Sequence, residues 1–355
     1  MPYNMDYPRK LRVGFCGVSD EAYRNILPAL RYAPVDLVAL ATPDKARGLA
    51  VARQFGARHL YPSYRSMLDK EEMDAVLVAT GFEGDEELLS TEIVESALQA
   101  GFHAWSAPPI CANKAEINRF TQACIKTRKY VACGFKRMGA PAYAQVAKII
   151  ADPSFGQVQS FSMRYPLFFP PLPNKGEEPS QELDPFIEFI HPYSLITHLF
   201  GECRRMSAFR SNSGAGFVNL AYTKGLVGTI HLTGGQAASG PLERLEVIGT
   251  GANVVVDNGC KLTYYRAGGT HGDGDLLHAE DYVGNHGNGP VVWEPEYSLG
   301  SLYSSQLFIE GYVGIIRHFC DQLLAGSPPR LGNLVDMLHI MTIHDLIMAG
   351  DELNR

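Results

Sequence analysis

The chain has 355 residues, of which 46% are apolar, and this length exceeds what one hydrophobic core usually organises. Its 38 acidic side chains outnumber the 31 basic ones, for a formal charge of −7, so no basic surplus is available to neutralise a phosphate backbone or an anionic membrane. We therefore expect two globular domains and no nucleic-acid or membrane partner.

The cysteines and the N-terminal segment indicate a cytoplasmic protein. The seven cysteines are scattered and form no C-x-x-C pair, which favours reduced thiols over a disulfide framework. Residues 1–10 are polar, and no later segment of the sequence is apolar over the roughly 18 residues that a membrane span needs. We expect neither a signal peptide nor a membrane anchor.

The first part of the sequence alternates strand and helix patterns. Such alternation is typical of a parallel sheet covered by helices, so we predict a doubly wound α/β Rossmann domain over residues 1–132. The predicted elements are a strand at Leu11–Cys16, a helix at Glu21–Arg31, strands at Val35–Ala41 and Asp74–Thr80, a helix at Lys45–Phe55 that Gly56 ends, a helix at Thr91–Ala100, a strand at Phe102–Trp105, a helix at Lys114–Thr127 and a strand at Tyr130–Cys133.

From residue 133 to 355 the pattern changes to short strands separated by glycine-containing turns. This pattern predicts an α+β domain with a large, open and mostly antiparallel sheet. The strand-like runs are Val158–Tyr165, Phe217–Tyr222, Gly228–Leu232, Arg244–Gly249 and Asn253–Asp257, followed by helices at Tyr312–Leu324 and Leu334–Met348. We expect the closing helix to pack on one of the two domains, and we expect the long loops Pro166–Pro185 and Gly268–Pro290 to be functional or mobile.

The turn after the first strand resembles a dinucleotide-binding fingerprint with one departure. Gly17, Ser19 and Ala22 occupy the three fingerprint positions G-x-G-x-x-G/A, in which the second glycine lets the backbone approach the pyrophosphate. Ser19 adds a side chain at that position, although its hydroxyl is able to donate to a phosphate oxygen. Weakened nucleotide binding and no nucleotide binding both stay open.

The end of the second predicted strand favours NADP over NAD. A carboxylate at this position normally binds the adenosine ribose hydroxyls, whereas this chain has Thr42, followed by Lys45 and Arg47. These two cations suit a 2′-phosphate. The alternative is that Thr42 is a turn residue and that Lys45 and Arg47 form a solvated helix face.

The segments that carry a family resemblance run through most of the chain. They are Val13–Ala22, Phe55–Gly56, Asp74–Thr80, Ala100–Gly101, Pro109–Glu116, Gly134–Arg137 with Pro141, and His191–Gly201. Together they resemble the Gfo/Idh/MocA family of nicotinamide-dependent oxidoreductases, which act on sugars and cyclitols. The resemblance implies a Rossmann domain, an open-sheet second domain, and a site in the cleft between them at the carboxyl ends of the parallel strands.

Several positions depart from the pattern of that family. Its E-K-P segment aligns with Ala107, Pro108 and Pro109, so the lysine that acts on the reacting oxygen falls on Pro108, which has no ionisable group. The family's acidic residue before the histidine, its H-x-x-D carboxylate and its loop histidine fall on Ile187, Ser194 and Asp85. Another group must supply the acid–base chemistry, or the chain lacks it.

His191 is the predicted acid–base residue, because the resemblance places it at the family's catalytic histidine. Glu188 lies three residues earlier on the same predicted helix face, where a carboxylate orients an imidazole, and Pro192 suggests that the helix begins there. Lys136 is the candidate for a relocated catalytic cation, since its segment lies near the nicotinamide in the family. The alternatives are a core histidine and a surface or anion-contacting lysine.

The resemblance also implies a wider set of contact residues. Cofactor contacts are expected from Gly17, Val18, Ser19, Thr42, Arg47, Thr80, Ser106, Pro108 and Arg137. Substrate contacts are expected from Arg164, Tyr165, Tyr193 and His198, some of which are alternatively plain sheet residues. We expect no metal site, because His271, His278, His286, Asp273, Asp275 and Asp281 fit no tetrahedral ligand spacing and lie in a glycine-rich loop.

Three functions stay open at the level of sequence. The first is an NADP- or NAD-linked oxidoreductase of a sugar, a cyclitol or a sugar-like alcohol or ketone. The second is a non-catalytic member of the family, either a sugar or nucleotide sensor or the partner subunit of an active homologue. The third is an enzyme of the same fold without net alcohol redox chemistry, such as a lyase, a cyclase or an imine reductase. The open sheet also predicts a homo-oligomer, or a hetero-oligomer with an active homologue.

Overall fold

The computed structural model describes residues 4–81, 88–168, 183–266, 289–295 and 305–348, with backbone only for 183–188, 305 and 346–348. Internal contacts divide the chain into two units. The first unit comprises Met1–Ala140, Gln181–His198 and Ser304–Thr342, and the second comprises Pro141–Ser180, Leu199–Tyr303 and Ile343–Arg355. Both units are therefore discontinuous in sequence, whereas the sequence predicted two consecutive ranges.

The first unit contains a six-stranded sheet whose hydrogen-bonded pairs are all parallel. Its strands are β1 (Leu11–Cys16), β2 (Val35–Ala41), β3 (His59–Tyr61), β4 (Ala75–Val78), β5 (His103–Ser106) and β6 (Val131–Cys133), in the order β3-β2-β1-β4-β5-β6. This order confirms the predicted Rossmann sheet. The strand order reverses between β1 and β4, where open α/β sheets bind their ligands.

The central strands β1 and β4 are mostly apolar and buried because helices cover both faces of the sheet. Val13 and Phe15 of β1 are fully buried, as is every residue of β4. The helices that follow strands in the first segment of this unit are Lys45–Phe55, Tyr64–Lys70, Leu89–Gln99 and Lys114–Thr127. The two later segments of the unit contain the helices Leu183–Phe200, Ser305–Ile309, Tyr312–Leu324 and Leu334–Met348. Leu183–Phe200 and Leu334–Met348 extend a few residues into segments of the second unit. The strand β3 and the helix Tyr64–Lys70 were not predicted from the sequence.

The helix after β1 differs from the regular helix predicted over Glu21–Arg31. It consists of a π-helical turn at Ala22–Ile26, an α-helical turn at Leu27–Ala29 and a 3-10 turn at Leu30–Tyr32. Leu27 donates its backbone N–H to Ala22 O, five residues back, and Pro28 has no N–H for the usual bond to residue 24. The proline therefore accounts for the irregular winding.

The helix that carries His191 begins earlier than predicted. Pro192 indicated a helix start at that position, but the helix runs over Leu183–Phe200 and holds Pro192 in its interior. A proline inside a helix removes one backbone hydrogen bond and clashes with the preceding turn. The remaining turns on both sides maintain this helix, so the local rule gave the wrong boundary.

The second unit contains an eight-stranded sheet that is mostly antiparallel, as predicted. Its strands are β7 (Ser160–Tyr165), β8 (Arg205–Arg210), β9 (Gly216–Ala221), β10 (Val227–Leu232), β11 (Arg244–Ile248), β12 (Asn253–Asp257), β13 (Lys261–Tyr265) and β14 (Val291–Trp293), in the order β14-β13-β12-β11-β7-β10-β9-β8. Among the described strands of this sheet, only the β7–β10 pair is parallel. The strands β8, β13 and β14 and the helix Pro141–Ala151 were not predicted.

The two faces of this second sheet differ in burial. Met163, Ile230 and Leu245 are paired across neighbouring strands and are fully or almost fully buried. On the opposite face, Phe217 and Val227 are exposed. Alternation of buried and exposed residues is the pattern of an antiparallel sheet with one covered face, which confirms an open sheet. Within the described residues, no helix is both long enough and apolar enough to span a bilayer.

Candidate active site

The turn after β1 requires a glycine at its first fingerprint position. Gly17 has a φ of +100°, and a Cβ atom added there would lie 2.4 Å from Ala79 O at the end of β4. Its N–H donates to Ala41 O over 3.0 Å, which fixes the turn to the end of β2 as well. The chain therefore forms the tight turn that brings backbone towards a dinucleotide.

Ser19 acts as the cap of the helix that follows this turn. Its hydroxyl donates to Ala79 O over 3.0 Å and accepts from the Ala22 N–H over 3.1 Å. The hydroxyl proton is therefore engaged inside the protein, whereas the sequence left it available for a phosphate. The N–H groups of Asp20 and Glu21 still have no acceptor among the described residues, and such groups at a helix N-terminus bind anions.

Thr42, directly after β2, is buried, whereas Arg47 in the following helix is exposed. Thr42 is 5% exposed, and a Cβ atom on Gly48 would lie 2.6 Å from its methyl carbon, so Thr42 packs under the next helix. Arg47 donates to the Asp20 carboxylate over 2.6 Å, and this pairing lowers the pKa of Asp20. The guanidinium thus lies beside the first turn of the dinucleotide helix.

Two side chains of the Leu89–Gln99 helix donate hydrogen bonds to the segment after β5, which aligns with the family's E-K-P motif. Ser90 donates to Pro109 O over 3.0 Å, and Thr91 donates to Ile110 O over 2.9 Å. Ser106 is fully buried and donates its hydroxyl to Ala107 O. Near the end of β4, the Thr80 hydroxyl lies 3.4 Å from Gly81 O. Pro108 has no side-chain polar group to add to this edge.

Lys136 lies in a 3-10 turn at Lys136–Gly139 after β6 and belongs to a polar network. Its ammonium nitrogen lies 2.7 Å from Glu310 Oε2 and 3.1 Å from the Tyr312 hydroxyl, and only 16% of its side chain is exposed. Tyr312 in turn donates to Glu21 Oε1 over 3.0 Å and accepts from Asn25 Nδ2 over 3.3 Å. Lys136 is therefore a half-buried, paired cation, and the network reaches the helix that starts after Ser19.

His191 is a neutral imidazole near two cations. Burial, Lys136 and Arg137 lower its pKa well below the ordinary value, and its buried Nδ1 atom has no hydrogen-bond partner among the described side chains. Ser194, one turn later, donates its hydroxyl to the His191 carbonyl oxygen. An imidazole that is neutral at neutral pH is able to accept a proton.

The other residues of the His191 helix have different surroundings. Tyr193 is fully buried and stacks on Phe189 with ring centroids 5.4 Å apart. His198 is half-buried, and burial together with the charge of His318 lowers its pKa. Glu188, predicted to orient His191, has its side chain outside the described residues, as has Ile187. The loop positions Asp85, His271, His278, His286, Asp273, Asp275 and Asp281 also lie outside them.

Arg164 and Tyr165 belong to the second unit. Both lie at the end of β7, where Arg164 pairs in register with His231 of β10 and Tyr165 pairs with Leu232. Arg164 donates to Pro241 O over 2.6 Å and lowers the pKa of His231, whose burial also lowers it. In the described residues, no group of three or more His, Cys, Asp or Glu side chains is arranged to hold a metal ion.

Glu310 and Tyr312 were missed by the sequence reasoning. They lie 174 and 176 residues after Lys136, so no local spacing connects them to it. Gly311 between them is a sequence signal for a turn at this position. In the structure Gly311 has a φ of +96°, a conformation that favours glycine.

The comparisons agree with this geometry. The model of an oxidoreductase family with an NAD-binding Rossmann fold, Gfo/Idh/MocA, matches residues 11–135. The first sheet and the turn after β1 lie within the matched residues. The chain is similar to a dTDP-3,4-didehydro-2,6-dideoxy-alpha-D-glucose 3-reductase of Actinomadura kijaniata, with 26% identity over 46% of this chain and 47% of the relative. It is equally similar to D-xylose 1-dehydrogenase (NADP(+)) 2 of Haloferax volcanii, with 26% identity over 43% of this chain and 46% of that relative.

The chain spans about half the length of these two relatives. Over nearly its whole length it shares the fold of a solved levoglucosan dehydrogenase complex with NADH and levoglucosan. The TM-score is 0.72 at 18% identity, and the alignment covers 98% of both chains. The chain therefore shares the overall fold of that structure.

Proposed function

We propose that this chain is a nicotinamide-dependent oxidoreductase of a sugar or a sugar-like alcohol or ketone. The observation that carries the proposal is the neutral His191 near the Lys136 and Arg137 charges, in the same unit as a dinucleotide-binding turn. The sugar class is supported by the 3-reductase and the xylose dehydrogenase named above, which resemble part of this chain.

The residues after β1 fit a dinucleotide. The Gly17 cradle leaves no room for a Cβ atom, and the Asp20 and Glu21 N–H groups at the helix N-terminus suit a diphosphate. Arg47 suits a 2′-phosphate if it exchanges Asp20 for that anion, which favours NADP over NAD. Val18, Thr80, Ser106, Pro108 and Arg137 complete the proposed contacts. When bound, the nicotinamide accepts or donates the hydride.

His191 performs the proton transfer in this proposal. In the direction of oxidation its neutral ring takes the proton of the substrate hydroxyl, and in reduction the protonated ring returns it. The Lys136 ammonium places positive charge near the reacting oxygen, and two of its three donors are engaged by Glu310 and Tyr312. Glu188, Arg164, Tyr165, Tyr193 and His198 remain candidates for orientation of the imidazole or the substrate.

The deciding experiment is calorimetric titration of the purified protein with NADPH and with NADH. We expect saturable NADPH binding in the micromolar range, followed by loss of substrate-dependent turnover in His191→Ala with nucleotide affinity retained. Absence of binding for both nucleotides would sink the oxidoreductase proposal. One observation favours that outcome, because the Ser19 side chain already caps the Ala22 N–H at the phosphate end of the helix. The chain would then be a sensor, a partner subunit or an enzyme that uses no nucleotide.

A further inference from the structure

The Lys136 network is built on a close backbone contact rather than on flexible side chains. A Cβ atom on Gly311 would lie 1.9 Å from Lys136 O, and one on Gly314 would lie 2.0 Å from Gly139 O. The 3-10 turn that carries Lys136 therefore lies directly against the start of the Tyr312–Leu324 helix. This contact brings Glu310 and Tyr312 to the Lys136 side chain.

The side chains at this contact enclose the ammonium group. Glu310 supplies the anion at 2.7 Å, the Tyr312 hydroxyl supplies an acceptor at 3.1 Å, and the Tyr312 ring centre lies 4.8 Å away. Burial by itself raises the pKa of Glu310, but the hydrogen bond and charge of Lys136 outweigh it and hold that pKa below its usual range. The Glu310 carboxylate and the Tyr312 ring thus hold the Lys136 ammonium in place.

Glu310 is not among the groups that shift the pKa of His191, which burial, Lys136 and Arg137 lower. The described charges that act on the imidazole are Lys136 and Arg137, both on the turn after β6. On its own helix, Glu188 lies one turn before His191 with its side chain outside the description, and His198 lies two turns after it beside His318. The carboxylate of Glu310 therefore reaches His191 only through the lysine that it holds.

We propose that Glu310 and Tyr312 are positioning residues, which hold the Lys136 ammonium in place so that its charge acts on His191. The catalytic meaning of this arrangement rests on the proposed function. The effect of the Lys136 charge on His191 needs neither cofactor nor substrate, so it is testable in the ligand-free protein.

The direction in which the His191 pKa changes distinguishes a positioning role of Glu310 from a direct electrostatic effect of Glu310 on His191. A carboxylate that acted on His191 directly would favour the imidazolium, so Glu310→Gln would lower the His191 pKa. In the proposed arrangement the same substitution leaves Lys136 half-buried without its counter-ion. The lysine side chain then moves towards solvent, its charge near His191 decreases, and the His191 pKa rises.

The experiment is an NMR pH titration of the full chain with labelled histidine, in which the His191→Asn spectrum identifies the His191 signal. Lys136→Met, Glu310→Gln and Tyr312→Phe are compared with Asp321→Asn, which removes an exposed carboxylate paired with Arg317 on the same helix. We expect the His191 midpoint to rise in Lys136→Met and Glu310→Gln, to rise less in Tyr312→Phe, and to stay unchanged in Asp321→Asn. The His191 midpoint of the double variant Lys136→Met/Glu310→Gln should rise no further than that of Lys136→Met alone.

An unchanged or lowered His191 midpoint in both Glu310→Gln and Tyr312→Phe overturns the proposal, as does an unchanged midpoint in Lys136→Met. Tyr312→Phe keeps the ring, so it serves even if Glu310→Gln does not fold. Failure of NADPH and NADH to bind would overturn the oxidoreductase function and leave these midpoints unaffected. If the enzyme turns over, the pH profile of kcat/KM should move in the same direction as the His191 midpoint.

Discussion

At the scale of single residues, Ser19 combines a structural role with a position normally reserved for glycine. Its hydroxyl caps the Ala22 N–H and anchors the turn to Ala79 O. We predict that Ser19→Ala lowers the free energy of unfolding by about 1 kcal/mol and that Ser19→Gly lowers it by only a few tenths, as for other helix caps. Urea unfolding measures both.

Nucleotide affinity gives the second readout for Ser19. We expect Ser19→Gly to bind NADPH more tightly than the parent chain, because the substitution removes a Cβ atom and frees the Ala22 N–H for a phosphate. Calorimetric titration of the two proteins tests this. Weaker binding by Ser19→Gly would show instead that the hydroxyl contacts the cofactor.

Arg47 belongs to the same scale, since its pairing with Asp20 is exposed and contributes little to stability. We predict that Arg47→Met lowers the affinity for NADPH much more than the affinity for NADH. Asp20→Asn should raise the NADPH affinity, because it releases the guanidinium. Arg58→Met, which breaks the exposed pair with Asp36, is the matched control and should leave both affinities unchanged. Equal losses for the two nucleotides would contradict a 2′-phosphate contact.

At the scale of elements, the contact between the Lys136–Gly139 turn and the Tyr312–Leu324 helix tolerates no side chain. Gly314→Ala would place a Cβ atom 2.0 Å from Gly139 O, so we expect a loss of roughly 1–3 kcal/mol or more in unfolding free energy. Gly326→Ala is the control, because its Cβ atom meets open space and only the left-handed backbone, with φ +68°, is strained. Thermal and urea unfolding should show the larger loss for Gly314→Ala.

The same helix anchors the loop after it through a neutral histidine. His318 Nε2 accepts the N–H groups of Arg330 and Leu331 at 3.0 and 3.2 Å, and burial and the Arg330 charge lower its pKa. The unfolded chain then binds a proton more readily than the folded one, so this contribution to stability is present above the ordinary histidine pKa of about 6.5 and is lost as the pH falls below it.

We predict that the urea midpoint falls between pH 7 and pH 5.5 and that His318→Gln, which keeps an acceptor without the titration, weakens this dependence. His59→Gln is the control, since His59 is exposed and paired with Glu71. An equal slope for parent and His318→Gln would exclude His318 as a source of the pH dependence.

Elements were predictable from sequence where local pattern and burial agree. The apolar run of β1 and the caps of the Lys45–Phe55 helix, Asp44 and Gly56, have local causes, and both elements have the predicted bounds. The edge strand β3 is a three-residue segment with no fully buried side chain, so it left no periodic signal. The partners of Lys136 were not predictable, because Glu310 lies in a turn and Tyr312 in a helix that both follow the described strands of the second sheet.

At the scale of the whole molecule, the exposed face of the second sheet supports our proposal of a homo-oligomer. Phe217, Val227 and Ile248 are large, exposed and carried by β9, β10 and β11. Apolar side chains clustered on one open sheet face are typical of subunit interfaces. A hetero-oligomer with an active homologue is the alternative occupant of that face.

We predict that light scattering coupled to size exclusion gives a multiple of the 39.0 kDa chain mass and that Val227→Glu reduces it. Ile125→Glu is the control, since Ile125 is the more exposed of the two but belongs to the first unit. A monomer in the parent protein would refute the proposal.

The separation of 174 residues between Lys136 and Glu310 in the sequence also delays the synthesis of Glu310 relative to that of Lys136. At ribosomal rates of about 5–20 residues per second, Glu310 emerges roughly 9–35 s after Lys136. The parallel sheet is complete in sequence by Cys133, so the nascent chain carries its six strands while the lysine still lacks its counter-ion. The first unit is thus completed only after the strands of the second sheet have been synthesised, and a release before residue 310 yields a chain with the turn after β1 but without the Glu310 contact to Lys136.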